Sequence, residues 1–270
     1  MSRLPRSVGT IGAGNMAEAI LRGLLRAGMR PEQLSGSDPD AARRTHIEGE
    51  LGIRIVEDNA TVAQNCEVVV LAIKPSIVEA AVRDLPGADG PLYVSIVAGQ
   101  STASLRAALA PGARIVRAMP NTPALISAGI SALADDSGTS EEDLERAEAV
   151  LGAVGSVLRL PEARMDAVTG LSGSGPAYVY LFVEALSEAG VREGLPVAAA
   201  RELALETVLG AARLVRESGE SPAALRNRVT SPGGTTVAGL AALEKGGLRE
   251  ALFAAVRAAT ARSRELGEDS

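Results

Sequence analysis

The stretch Val8-Gly9-Thr10-Ile11-Gly12-Ala13-Gly14-Asn15-Met16-Ala17 constrains this chain more than any other. A short apolar run, of strand length, meets a glycine turn. A helix is then expected from Met16 to about Ala27, with Ile20, Leu24 and Ala27 on one face. The glycine pattern is G-x-G-x-x-A. Gly12 suits the tight turn, Gly14 lets a ligand approach the backbone, and Ala17 packs helix on strand. A helix entrance also carries free amides that favour an anion. Two readings stay open from this stretch alone. It is either a dinucleotide cradle built from Gly12, Ala13, Gly14, Asn15, Met16 and Ala17, or a bare strand-to-helix turn.

The remainder of the N-terminal half decides the fold class. Strands are expected at 33–37, 52–56, 67–72, 92–98 and 114–119, with helices between them, so the near-continuous Val/Ile runs predict a parallel sheet covered on both faces. Further strands at 130–134 and 157–160 flank a helix over 141–152. Residues after the strand ends then line a crevice: Ala72-Ile73-Lys74-Pro75, Ile96-Val97-Ala98-Gly99 and Pro120-Asn121-Thr122-Pro123. Asp38 ends the second strand, where an acidic residue bonds ribose hydroxyls and repels a 2′-phosphate. Arg43 and Arg44 lie just beyond and pull the other way, so the residues leave the choice between NADH and NADPH open.

After Leu160-Pro161 the strand signal stops, giving expected domains of 1–161 and 162–270. Three or four helices rich in small apolar residues are expected here, including 163–169, 177–189 and 197–218. One carries Leu205, Val208, Leu209, Ala212 and Val215 at helical spacing, and the last carries Leu248, Leu252, Ala255, Val256 and Ala259. That apolar surface exceeds what so small a domain buries by itself, which points to dimerisation; a self-contained bundle is the alternative. Two stretches read as glycine-rich helix entrances. Gly170-Leu171-Ser172-Gly173-Ser174-Gly175-Pro176-Ala177-Tyr178 places Pro176 in a first turn with Ser172 or Ser174 as cap, and Thr235-Thr236 opens a helix after Pro232-Gly233-Gly234. Each is either an anion site or a connecting turn.

Composition removes other classes. The net charge of −6 is spread along the chain, which argues against nucleic acid or an anionic membrane as partner. A single cysteine, Cys66, excludes an internal disulfide and suits a reducing compartment. With one histidine, His46, in a polar helix face, no metal site is expected. No apolar run spans a bilayer and no signal core is evident, so a soluble cytoplasmic protein is expected.

Beyond these local readings, the chain resembles the pyrroline-5-carboxylate reductase family over nearly its full length. The matching stretches are Gly12–Ala17, Ala72–Pro75, Arg117-Ala118-Met119-Pro120-Asn121-Thr122-Pro123, 167–178 and Ser231-Pro232-Gly233-Gly234-Thr235-Thr236. The resemblance implies an α/β fold: an N-terminal Rossmann-like doubly wound sheet plus an all-α C-terminal dimerisation domain, in dimers that assemble to a larger homo-oligomer such as a decamer. It implies NADPH- or NADH-dependent reduction of (S)-1-pyrroline-5-carboxylate to L-proline. By position, the coenzyme meets residues 12–17, Asp38, Asn59, Ala72, Lys74, Pro75, Val97 and Ala98. The substrate meets Glu162, Ser172, Gly173, Ser174, Gly175, Thr235 and Thr236, with Thr236 as the catalytic candidate.

Two positions depart from the family pattern. Asp38 stands where relatives often carry a neutral residue, and Leu225-Arg226-Asn227-Arg228 stands where Leu-Lys-Asp is common. The chemistry suits the scarcity of histidine, lysine and tyrosine, because a protonated cyclic imine is already electrophilic at C5. The residues must hold its carboxylate, keep its nitrogen protonated and orient the ring. Glu162 is expected to favour the iminium by its charge. The alternatives are another two-domain reductase of hydroxy acids or imines, or a nucleotide-binding scaffold. Lys245, the second-domain lysine, sits at an apparent helix end, the wrong context for a β-hydroxy-acid dehydrogenase.

Overall fold

The computed structural model describes residues 4–135 and 138–268. The chain alternates β1 (Val8–Ile11), α1 (Asn15–Arg26), β2 (Leu34–Ser37), α2 (Ala41–Leu51), β3 (Arg54–Val56), α3 (Asn59–Asn65) and β4 (Val68–Leu71). It continues through α4 (Val78–Val82), β5 (Leu92–Ser95), α5 (Thr102–Ala108), β6 (Arg114–Met119), β7 (Gly129–Ala134), α6 (Glu141–Gly152) and β8 (Gly155–Leu160). The strands form one sheet in the order β3-β2-β1-β4-β5-β6-β7-β8. The order turns at β1 and β4, and the register there aligns Ile11 with both Ser37 and Leu71.

Continuous apolar strands follow from burial on both faces. Val68, Val69, Val70 and Leu71 are all 0% exposed. Val68 and Val70 pack with Ile20, Leu24 and Leu151 on one face, whereas Val69 and Leu71 pack with Ile11, Val82 and Leu105 on the other. Each such side chain contributes about 1.5–3 kcal/mol, an upper figure because the unfolded chain already hides some surface.

The expected parallel sheet needs one correction. β7 runs antiparallel to β6, pairing Met119 with Ala132. The segment between them, residues 120–128, is too short for the crossover helix that a parallel return requires. It holds a 3₁₀ turn, Thr122–Ile126, ending on Ser127 at φ 57°. α6 keeps its expected bounds because Ser140 caps it, its hydroxyl accepting from the Asp143 N–H.

Past β8 come α7 (Met165–Val168), α8 (Gly175–Arg192), α9 (Val197–Ser218), α10 (Pro222–Arg228), α11 (Thr235–Lys245) and α12 (Leu248–Glu268). Among the described residues the helices past β8 number six against three or four expected; α10, which Ser221 caps and Pro222 opens, had no counterpart in that reading. By compactness the chain divides into two units, Met1–Ser174 with Arg257–Ser270, and Gly175–Val256. Within the first unit, the Ser263 hydroxyl donates to Asp166 at 2.7 Å. In the same unit Gly99 sits at φ +75°, and a Cβ on it would lie 3.2 Å from the Leu266 Cβ. A Cβ on Gly267 would lie 2.7 Å from the Gly99 carbonyl oxygen, so two glycines let backbone meet backbone.

In the second unit α8 and α9 pack through small residues, with Gly190 against Ala200 and Leu195. The apolar side chains Tyr180, Leu181 and Phe182 on α8 and Leu203, Leu205 and Leu209 on α9 are exposed within a single chain. Among the described residues no helix is long and apolar enough to cross a membrane.

Candidate functional site

The turn after β1 builds the first half of the site. Gly12 takes φ +87°, and a Cβ there would lie 2.5 Å from the Ala72 carbonyl oxygen. The turn therefore presses against the residue that follows β4, at the point where strand order reverses. Gly14 begins α1 as its cap, with no side-chain capping bond, and a Cβ on it would meet open space. Uncovered backbone at the N-terminus of a twelve-residue helix is what a dinucleotide's pyrophosphate requires. Residues 12–17 thus fit the group that the sequence pattern implies.

The strand ends brace this turn. The Gly12 N–H donates to the Ser37 carbonyl at 2.8 Å, and the Ala13 N–H donates to Asp38 Oδ2 at 2.8 Å. Asp38 Oδ1 accepts from the Asp40 N–H at 2.9 Å. Asn59, the first residue of α3, receives the Ser37 hydroxyl at 2.7 Å and donates to the Ala81 carbonyl at 3.0 Å. It serves as a strut between β2 and α4. Ala72 lies on the Gly12 turn, and exposed Lys74 precedes the 3₁₀ turn Pro75–Ile77. After β5, Val97 is buried with its N–H on the Ser95 hydroxyl, and Ala98 is partly exposed.

A charged network flanks α1. Arg43 donates to the Ala13 carbonyl and, at 2.5 Å, to Glu18 Oε2. Arg22 reaches Glu18 Oε1 at 2.9 Å. Burial acts to raise the Glu18 pKa, but the hydrogen bonds and charges of Arg22 and Arg43 outweigh it and hold the carboxyl below its ordinary value. His46 is exposed at 3.6 Å from the same carboxylate. Cys66 is partly buried, and burial pushes its thiol pKa up against the weaker lowering by Ser35, so it packs as a neutral group. Among the described residues no cluster of three His, Cys, Asp or Glu side chains has metal-binding geometry.

A second site feature forms after β8. Glu162 opens a 3₁₀ turn, Glu162–Arg164, and accepts the Thr102 N–H at 2.6 Å and the Arg117 guanidinium at 3.1 Å. Arg117 is only 7% exposed. Burial acts to raise the Glu162 pKa, yet the Thr102 backbone and hydroxyl and the Arg117 charge prevail, and the carboxyl is held low. The sequence reading missed Arg117 and Thr102 as site residues. A detectable signal existed, since an arginine inside the apolar run Ile115-Val116-Arg117-Ala118 demands a buried anion.

The expected helix entrance at 170–178 is present, since α8 opens at Gly175 with Pro176 in its first turn, but the approach to it is not an open turn. α7 passes into one wide π turn, Thr169–Gly173, with the Ser174 N–H donating to the Thr169 carbonyl at 2.8 Å. The Ser172 hydroxyl donates to the Val168 carbonyl at 3.3 Å instead of capping a helix. Gly173 lies over Met119, and Ser172, Gly173, Ser174 and Gly175 are all partly exposed.

In the other unit the second entrance is as expected. Gly234 caps α11, with Thr235 exposed and Thr236 partly buried as its first two helical residues. Gly234, at the cap position, has no side chain to cap the helix.

Two family models match the chain. Residues 162–266 match the pyrroline-5-carboxylate reductase dimerisation model, and residues 7–99 match a coenzyme F420-dependent NADP oxidoreductase model. A pyrroline-5-carboxylate reductase of Synechocystis sp. is 48% identical over 97% of this chain and 98% of its own. One from Arabidopsis thaliana is 41% identical over 97% of this chain and 95% of its own. Among solved structures, the pyrroline-5-carboxylate reductase of Coxiella burnetii superposes with a TM-score of 0.90 at 36% identity, covering 98% and 99% of the two chains. The Plasmodium falciparum enzyme, solved with NADP bound, gives a TM-score of 0.87 at 30% identity over 99% of each chain.

Proposed function

The chain belongs to the pyrroline-5-carboxylate reductase family, and from that membership we propose how its own residues carry out the NAD(P)H-dependent reduction of (S)-1-pyrroline-5-carboxylate to L-proline. The observation that carries the assignment is the 48% identity extending through both halves of the chain. Residues 1–161 serve the coenzyme, and residues 162–270 serve substrate and dimerisation. When bound, the reduced nicotinamide supplies a hydride for C5 of the cyclic imine.

The chain's own groups do the rest. Residues 12–17 form the pyrophosphate cradle: Gly14, Asn15 and Met16 offer backbone at the helix mouth, while Gly12, Ala13 and Ala17 shape the turn beneath it. Asp38, Asn59, Ala72, Lys74, Pro75, Val97 and Ala98 border the remainder of the coenzyme. Ser172, Gly173, Ser174, Gly175 and Thr235 hold the substrate carboxylate. The Thr236 hydroxyl hydrogen-bonds the ring nitrogen, directly or through a water. Glu162 favours the iminium by its negative charge, and its Oε1, bound by the Thr102 N–H and the Arg117 guanidinium, also ties β6 and α5 to the start of the substrate segment. The exposed apolar faces of α8 and α9 support a homo-oligomer. The finer proposal is dimers joined into a decamer, in the cytoplasm.

The test is steady-state oxidation of NADH and NADPH with racemic pyrroline-5-carboxylate, with proline identified as product. Thr236→Ala is expected to lower kcat while leaving coenzyme affinity unchanged. Turnover within about twofold of wild type limits any transition-state role of that hydroxyl to roughly 0.4 kcal/mol and removes Thr236 from the mechanism. No turnover with either coenzyme from folded protein overturns the activity.

A further inference from the structure

We infer that this chain selects NADH over NADPH, and that Asp38 is the residue that decides it. The inference rests on the reductase reading above and deepens it. At the end of β2 in a sheet of this order lies the ground for the adenosine ribose. Asp38 stands there partly exposed, and both its oxygens are fixed by backbone, Oδ2 by the Ala13 N–H at 2.8 Å and Oδ1 by the Asp40 N–H at 2.9 Å. A carboxylate held this way has lone pairs left for ribose hydroxyls and cannot swing away from a 2′-phosphate. A dianion beside it meets like charge in a partly dry crevice.

The two arginines that could reverse this preference are already engaged. Arg43 holds the Ala13 carbonyl and pairs with Glu18 at 2.5 Å. Arg44 donates to the carbonyls of Asp38 and Pro39 at 2.8 and 2.9 Å and lies 3.8 Å from Glu57. Recruiting either to a phosphate means breaking those bonds. The neighbouring strand end adds more negative charge. The Asp38 N–H donates to the Val56 carbonyl at 3.0 Å, which brings Glu57 and Asp58 to the same edge as Asp38 and Asp40. These two strand ends carry four carboxylates, of which Asp40 and Asp58 cap the helices that follow and Glu57 lies near Arg44.

The experiment is calorimetric titration of the wild-type protein with NADH and with NADPH, and with the fragments adenosine 5′-phosphate and adenosine 2′,5′-bisphosphate. Binding is read without catalysis. NADH is expected to bind at least about tenfold more tightly than NADPH, with the fragments following the same order. Asp38→Asn removes the charge and keeps an oxygen for the Ala13 N–H, while its NH2 replaces the acceptor of the Asp40 N–H, and it should narrow the ratio by about fivefold or more. Arg44→Ala should leave the ratio within about twofold. Equal or tighter NADPH binding overturns the inference while leaving the reductase assignment intact, as does a large loss of NADPH affinity in Arg44→Ala. If neither coenzyme binds, the coenzyme assignment itself fails and the inference falls with it.

Discussion

Replacing Arg117 with methionine removes one charge from β6 while roughly keeping its volume. The guanidinium is 9% exposed and donates to Glu162 at 3.1 Å. A hydrogen bond between charged groups is worth about 1.5–3 kcal/mol, and stripping one partner from a fully buried pair costs about 3–5 kcal/mol. Glu162 keeps the Thr102 N–H and its side chain is 25% exposed, so water relieves part of the stranded charge. The expected loss is therefore near the lower end, about 2 kcal/mol.

Urea unfolding of Arg117→Met, Glu162→Gln and the double variant measures it as a cycle. The double variant should be less destabilised than the sum of the singles by about 1–2 kcal/mol. The pH dependence has a definite sign. The folded Glu162 carboxyl is held below its ordinary 4.5, so its contribution is present above that value and is lost as pH falls through the lower folded one. The coupling should accordingly persist at neutral pH and fade in acid. A cost for Arg117→Met under about 0.5 kcal/mol, or additivity of the two singles at neutral pH, refutes the argument that this pair holds the region together.

Gly12→Ala places a methyl group 2.5 Å from the Ala72 oxygen at φ +87°. It should cost about 1–2 kcal/mol of stability and weaken coenzyme binding in the same titration, whereas Gly14→Ala should spare stability, since its Cβ meets open space. Ser140→Ala removes the cap of α6 and should cost about 1 kcal/mol in urea unfolding. Leu181→Glu with Leu205→Glu charges two exposed apolar positions. Sedimentation should then show a smaller assembly than wild type, and an unchanged mass places the interface elsewhere.

Elements with strong local signals were legible in the sequence. α9 runs Val197–Ser218 as expected because its periodicity is unbroken and Gly219, at φ 68°, ends it. The glycine turn, Asp38 at its strand end and the opening of α11 were legible for the same reason, since each is written in adjacent residues. What escaped depends on partners distant in sequence or on chain length. Arg117 and Glu162 meet across 45 positions, and no spacing rule pairs them. The reversal of β7 followed from the shortness of residues 120–128, not from its own composition. Pro176 does mark a helix start, and the π turn at Thr169–Gly173 was hidden because the glycines and serines before it read as an open approach.

The return of residues 257–270 to the first unit has a consequence for biosynthesis. The Gly99 backbone and Asp166 wait for Leu266, Gly267 and Ser263, which leave the ribosome only after all of Gly175–Val256 has been made. The first unit is therefore completed after the second has emerged. A nascent chain halted within the second unit presents a complete set of strands but still lacks the partners of Gly99 and Asp166.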